Sequence, residues 1–339
     1  MSSQKPYVSV IVAVFNVEQY IAQCCHSLFA QTLDNIEFVF IDDCSPDHSM
    51  EIMRSILKEY PYRASQVRII EHKTNKGVSK TREEGVNAAT GEYIIHCDPD
   101  DWIELDMYER LYEKAMAEDA DIVLCNLWYH YFNDPTPYYG TEKPKELTSR
   151  SLLASCLGRQ HPLMNCYLCN KLIKASLYQN VKWPEKISCS EDSIVCAQIM
   201  RDPSLVISHI NAAFYHYYIK ETSLSHRSNT KQDIENDYAV IGILASHLCE
   251  SGDKDLYHIW QGSIAGLMIG TLKASERYFS NKEYTAKYKR YRGDIWKSAA
   301  WSMENKILLF CATYNYYIAY TLYKMGLGIK QFLRQVKSK

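Results

Sequence analysis

Residues 93–104 read YIIHCDPDDWIE. An apolar, strand-like run ends abruptly in three carboxylates, Asp98, Asp100 and Asp101. Like charges crowded at a strand end cost free energy unless a cation sits among them. Asp-x-Asp on extended chain points both side chains the same way, as a divalent-cation site requires. Alternatively, Asp98 and Pro99 stop a strand while Asp100 and Asp101 open the next helix as capping residues. The segment alone leaves both readings open.

The surroundings decide what kind of sheet this strand joins. "VSVIVAVF" (8–15) is a continuous apolar run, as in a parallel strand buried on both faces. "EQYIAQCCHSLFAQ" (18–31) sets Ile21, Cys25, Leu28 and Phe29 at helical spacing. The alternation continues with a strand at 36–43, a helix at 48–60, a strand at 67–72 and a helix at 79–90. The strand 92–97, a helix near 105–118 and a strand at 120–127 follow. Strands alternating with helices predict a doubly wound α/β sheet. Beyond about residue 225 strand signals fade and helical stretches dominate, as in "KQDIENDYAVIGILASHLCE" (231–250) and "DLYHIWQGSIAGLMIGTLKASERYF" (255–279). Two domains are expected, 1–228 and 229–339.

Composition narrows the class. The chain has 339 residues, 47% hydrophobic, with net charge −2 and pI about 6.6, so no global field favours nucleic acid. The N-terminus lacks the basic-then-apolar pattern of a secretory leader. The 12 cysteines lie scattered through apolar segments and are expected to be reduced core residues of a cytoplasmic protein. Cys166 and Cys169 form a Cys-x-x-Cys, but Cys189 and Cys196 make a poor second ligand pair, so packing is preferred over metal. At the C-terminus, "ILLFCATYNYYIAYTLYKMGLGIKQFLRQVKSK" (307–339) is aromatic and apolar, then basic, with no acid. It reads either as a helix on an anionic lipid leaflet or as a helix packed on its own domain.

In open α/β sheets, ligands bind at the carboxyl ends of the strands. Three such ends bring Asn16, Glu18, Asp42, Asp43, Ser45, Asp47, Asp98, Asp100 and Asp101 to one rim. No Gly-x-Gly-x-x-Gly follows the first strand and no Walker A sequence occurs, against a dehydrogenase or a P-loop ATPase. An acidic rim without a glycine-rich cradle holds phosphate most simply through a divalent cation.

Spaced blocks then point to a family. "PYVSVIVAVFNVEQYIAQCCHSLFAQTLDNIEFVFIDDCSPDHS" and "NKGVSKTREEGVNAATGEYIIHCDPDDWIE" are followed by "CNKLIKASL" (169–177), "SEDSIV" (190–195) and "FYHYYIKETSLS" (214–225). Over roughly residues 6–225 the chain resembles the family-2 nucleotide-sugar glycosyltransferases. The resemblance implies a GT-A fold, a Rossmann-related and mostly parallel sheet flanked by helices, with a helical C-terminal region. It implies that Ala13, Phe15, Asn16 and Glu18 line a nucleoside pocket and that Asp43 accepts a bond from the base. Lys80 and Arg82 would contact the nucleotide, Asp98 would sit near ribose and metal, Asp100 would ligate Mn²⁺ or Mg²⁺, and His216 would be a further diphosphate or metal contact. Asp192 would be the catalytic base.

Each role has a plainer counterpart: Asp192 as a helix N-cap, Lys80 and Arg82 as a solvated face pairing with Glu83 and Glu84, His216 as a packed strand residue. Several positions depart from the family pattern. Ala13 replaces a common proline, Glu83 a frequent asparagine and Pro99 a small residue. Cys44 stands where glycine is usual, a strained choice if that position needs positive φ.

The activity so implied is inverting transfer of a sugar, from UDP-sugar by expectation, to a hydroxyl of a glycan or lipid-linked saccharide. It would serve surface-polysaccharide synthesis at the cytoplasmic face of the inner membrane, as a peripheral protein. One carboxylate deprotonates the acceptor, and direct displacement inverts the anomeric centre. Two alternatives stand beside it: a catalytically silent nucleotide-sugar-binding scaffold, and a sugar nucleotidyltransferase, whose basic glycine-rich first loop is missing here.

Overall fold

The structure is a computed structural model. It describes residues 5–139, 146–158, 166–185, 187 and 189–220, scattered positions between 231 and 256, then 280–289, 292–296 and 302–337. The chain divides into two compact units, Met1–His226 and Arg227–Lys339.

The first unit opens with β1 (Val8–Val14), α1 (Ile21–Phe29), β2 (Ile36–Asp42), α2 (Ser49–Leu57), β3 (Val67–Glu71), α3 (Val78–Ala88) and β4 (Tyr93–His96). β1 pairs in parallel with β2 and β4, and β2 with β3. Buried on both faces, β1 and β2 need apolar residues at nearly every position, which is why they read as continuous rather than alternating runs. α1 lays Ile21, Cys24, Cys25, Leu28 and Phe29 against the sheet.

The second half of the sheet departs from simple alternation. β5 (Trp102–Ile103), α4 (Met107–Glu118), β6 (Ile122–Tyr131), β7 (Asp134–Tyr139), α5 (Ser149–Gly158), β8 (Lys171–Lys174), α6 (Glu191–Ile199) and β9 (Ile207–Ile219) complete the unit. The strand order is β3-β2-β1-β4-β8-β6-β9-β5, with β7 beside β6. β8 runs antiparallel between β4 and β6, β5 antiparallel to β9, and β6 parallel to β9. The parallel expectation holds for the first four strands, and the antiparallel pairs enter with the short β5, β7 and β8.

In the second unit α7 (Asn281–Tyr288) starts with a capping box, Ser280 and Glu283 exchanging side-chain and backbone bonds. α8 (Met303–Ala312) and α9 (Tyr316–Lys337) follow. The helical stretches expected at 231–250 and 255–279 lie largely outside the described residues.

The thiols are mostly as the composition implies: Cys24, Cys25, Cys97, Cys125, Cys169 and Cys196 are free and buried. Cys166 is an exception, being disulfide-bonded, so the expectation of wholly reduced cysteines is corrected there.

Candidate active site

The acidic turn is tied down by β9. β5 pairs with β9 through Trp102↔His216 and Ile103↔Tyr215, which carries Tyr215, Tyr218 and Lys220 to the turn after β4. Asp101 is buried, with one carboxylate oxygen accepting from the Tyr215 hydroxyl at 2.6 Å and the other from the Tyr218 N–H at 2.7 Å. The Tyr215 oxygen in turn accepts from the Asp98 N–H at 3.1 Å. Burial, then the Asp100 and Asp98 charges, push the Asp101 carboxyl well above its ordinary range. Asp101 therefore fastens the loop, and Asp98 and Asp100 remain as the outward pair.

Each of those two already faces a cation of the chain itself. Asp98 accepts from Arg82 Nη2 at 2.5 Å and Asp100 from Lys220 Nζ at 2.7 Å. Burial raises the Asp100 pKa while Lys220 opposes the rise.

Arg82 is the hub. It rides on α3, which enters after Gly77 at φ +86° and approaches the sheet closely at Gly85. A Cβ at Gly85 would stand 2.5 Å from Ile11 Cγ2 and 2.7 Å from Ile41 Cδ1, so any larger residue would force these side chains to shift. One turn earlier, the buried guanidinium reaches three carboxylates: Nη2 donates to Asp98, and Nη1 to both Glu191 and Asp192. Burial works against the Arg82 charge, but Asp192, Asp98 and Glu191 outweigh it and hold its pKa well above the ordinary arginine value.

Glu191 and Asp192 occupy the first turn of α6, entered through Ser190 at φ +67°, and neither caps it. The helix N-terminus favours their negative charge. The Leu168 N–H also donates to Asp192 at 3.4 Å. Nearby, the fully buried Lys171 donates to the Tyr167 carbonyl and the Asn170 side chain, bracing the "CNKL" segment. Burial raises Asp192, against the pull of Arg82, and pushes Glu191 to about 7. Burial opposing a neighbouring arginine's charge is a balance that often marks functional carboxylates.

The end of β1 lies beside that of β4. Ala13 is the penultimate residue of β1, and Phe15, just past its end, is 45% exposed. Asn16 sits at φ +55°, its N–H donating to Ser45 Oγ at 2.8 Å. The Glu18 N–H donates to Asp47 and the Glu18 carboxylate accepts from the His48 N–H. Burial disfavours the Asp47 charge, but the Ser45 and Ser49 hydroxyls and two backbone N–H groups prevail and lower its pKa to about 2. Cys44 adopts φ +59°, the strained left-handed conformation that glycine would take without cost.

The other expected residues each have partners within the protein. Asp43 is buried, accepting from the Lys76 and Gly77 N–H groups and facing His72 Nδ1 at 2.8 Å, so it organises the loop into α3. Lys80 pairs with Glu83 at 2.7 Å on an exposed helix face. Arg82 meets carboxylates inside the protein. His216 is not brought to the Asp98/Asp100 pair, because its ring stacks on Trp102 and its nitrogens face Glu104 and His130, each at 2.9 Å. Sequence reading passed over Glu191, although the acid pair in "SEDS" was visible, and Lys220, which carries no local signal.

The model of the family described as "Glycosyl transferase family 2" matches residues 9–181, more than half of the chain. The chain belongs to this family. Among its relatives, the uncharacterized glycosyltransferase EpsJ of Bacillus subtilis is 34% identical over 192 residues, 56% of this chain and 54% of EpsJ. The glycosyltransferase GlyA of Streptococcus pneumoniae is 32% identical over 228 residues, 64% of this chain and 31% of GlyA. The chain thus spans about half or less of these relatives. The crystal structure of S. aureus TarS 1–349 in complex with UDP-GlcNAc superposes with a TM-score of 0.71 at 19% identity, covering 94% of this chain and 92% of that one. That likeness concerns the fold, which is GT-A.

Proposed function

We propose that this glycosyltransferase moves a sugar, with inversion, from a UDP-sugar to a hydroxyl of a glycan or lipid-linked saccharide, and that the first unit carries the reaction. The observation that carries the reading is the Arg82 hub. One guanidinium holds a carboxylate of the Asp-x-Asp turn and the Glu191/Asp192 pair within a single network. A sugar bound over this network has the leaving diphosphate on the Asp98 side and the acceptor hydroxyl on the Asp192 side. Asp192 takes the hydroxyl proton as the acceptor oxygen attacks the anomeric carbon and the nucleoside diphosphate leaves. UDP-GlcNAc bound by TarS supports a uridine donor.

The donor set suits Mn²⁺ or Mg²⁺. Asp98, Asp100, Glu191 and Asp192 share only Arg82 and Lys220 among the ion pairs described, so negative charge is in excess at a half-buried rim. Among the described residues no three His, Cys, Asp or Glu side chains are grouped to hold a metal ion alone. Asp98 and Asp100 would therefore hold it together with substrate phosphate oxygens, the usual manner of Mg²⁺. When bound, the ion would neutralise charge developing on the departing diphosphate. The mannosyltransferase PcManGT from Pyrobaculum calidifontis is known in complex with GDP-Man and Mn²⁺.

The reading is tested by offering UDP- and GDP-sugars in thermal-shift assays and reading the product's anomeric configuration by NMR. Stabilisation by a UDP-sugar with Mn²⁺ and an inverted product are expected. A retained configuration contradicts the role of Asp192.

We further propose that the second unit rests on anionic lipid. Ile318, Leu322 and Met325 on α9 recur at helical spacing and are exposed, and no acidic residue occurs between 305 and 339. No helix among the described residues is long and apolar enough to cross a membrane. Co-flotation with vesicles containing phosphatidylglycerol, lost in Leu322→Asp and at high salt, is the expected result.

A further inference from the structure

Lys220 directly follows β9, and its Nζ lies 2.7 Å from Asp100 and 4.0 Å from the centroid of the Tyr20 ring. The two carboxylates proposed to grip the metal are thus neutralised by cations of different kinds. Asp98 meets the buried, planar guanidinium of Arg82, which two further carboxylates fix in place. Asp100 meets a lysine, a compact point charge on a flexible four-carbon stem with rotatable donors. The aromatic face of Tyr20 attracts the ammonium independently of Asp100. Lys220 can therefore leave the carboxylate without leaving the rim.

We propose that Lys220 is a stand-in for the divalent cation. It neutralises Asp100 before the donor arrives, yields that carboxylate to the incoming ion, and then binds the donor's diphosphate. The inference rests on the reading of the site as one for a nucleoside diphosphate with a metal on Asp100. Its physical basis is charge balance. A bare divalent ion must displace a close ion pair to reach Asp100 and brings no anion of its own to receive the freed ammonium. An ion arriving with a diphosphate brings the anion that receives it. Metal and nucleotide therefore bind with positive coupling, which by linkage is the same in both directions.

Calorimetry with Mn²⁺ alone, and with UDP at saturating Mn²⁺, tests this on the full chain. In Lys220→Met, Mn²⁺ alone is expected to bind about tenfold more tightly, because its competitor is gone, and UDP about tenfold more weakly. Lys220→Gln, which keeps a hydrogen-bond donor without the charge, is expected to shift both affinities the same way, and circular dichroism establishes that each variant is folded. A merely structural lysine would weaken both affinities or neither. Unaltered or weaker Mn²⁺ binding in both variants overturns the stand-in, and unaltered UDP affinity overturns the transfer to diphosphate. If the wild type shows no Mn²⁺-dependent UDP binding, the underlying reading fails and the inference with it. That failure is seen in the wild type, whereas failure of the inference alone is seen only in the variants.

Discussion

Replacing Arg82 with methionine removes a cation that touches Asp98, Glu191 and Asp192 together. Breaking a buried ion pair by deleting one partner costs about 3–5 kcal/mol, because the other charge is left uncompensated. For a unit of this size each kcal/mol moves the melting temperature by about 2–4 °C, so Arg82→Met should melt roughly 10 °C below wild type near neutral pH. The pH dependence is the sharper test. Burial already raises Glu191 to about 7 and Asp192 above its ordinary value, with Arg82 holding both down. Without Arg82 both climb further, so the folded state binds protons more strongly than the unfolded chain and loses stability as pH rises. The melting deficit should therefore be large at pH 8 and shrink at pH 5, where the carboxyls are protonated and no cation is needed. Arg82→Lys should rescue only part, since a point charge cannot bridge three partners as a planar fork does. Differential scanning fluorimetry from pH 5 to 8 is sufficient. A deficit independent of pH, or one under about 1 kcal/mol, would refute the hub.

Two further outcomes follow from the same geometry. Glu191, raised from 4.5 to about 7, contributes stability that is present below pH 4.5 and lost as pH climbs through 7, on the order of 3 kcal/mol. Glu191→Gln should thus gain on wild type between pH 5 and pH 8 in urea unfolding, and a difference that does not change with pH contradicts the assignment. Cys44→Gly should stabilise the fold by about 1 kcal/mol through relief of the positive φ, and a lower urea midpoint would count against strain at that turn.

Much of the fold could be read from the chain because continuous apolar runs have few alternatives to buried parallel strands. β1, β2 and β4 lie within a residue or two of their expected bounds. β5 and β8 were not legible, since two and four residues establish no period, and their pairing is decided by β9 and β6 far along the chain. The site divides in the same way. The carboxylates Asp98, Asp100 and Asp192 stand in recognisable blocks, but the cations that serve them do not declare their partners. Arg82 and Lys80 lie two apart on one helix, yet one faces the buried acids and the other solvent. Only the close approach at Gly85 and the order of strands decide which. His216 sits in a matching block, but pairing with Trp102 turns its ring toward Glu104.

The most direct test concerns Asp192. UDP affinity in the presence of Mn²⁺ and turnover of the UDP-sugar should be measured side by side for wild type and Asp192→Asn. The account predicts UDP binding within about twofold and transfer reduced by about a hundredfold or more, as expected when a general base is removed. Transfer retained at near wild-type rate, with binding intact, would contradict it.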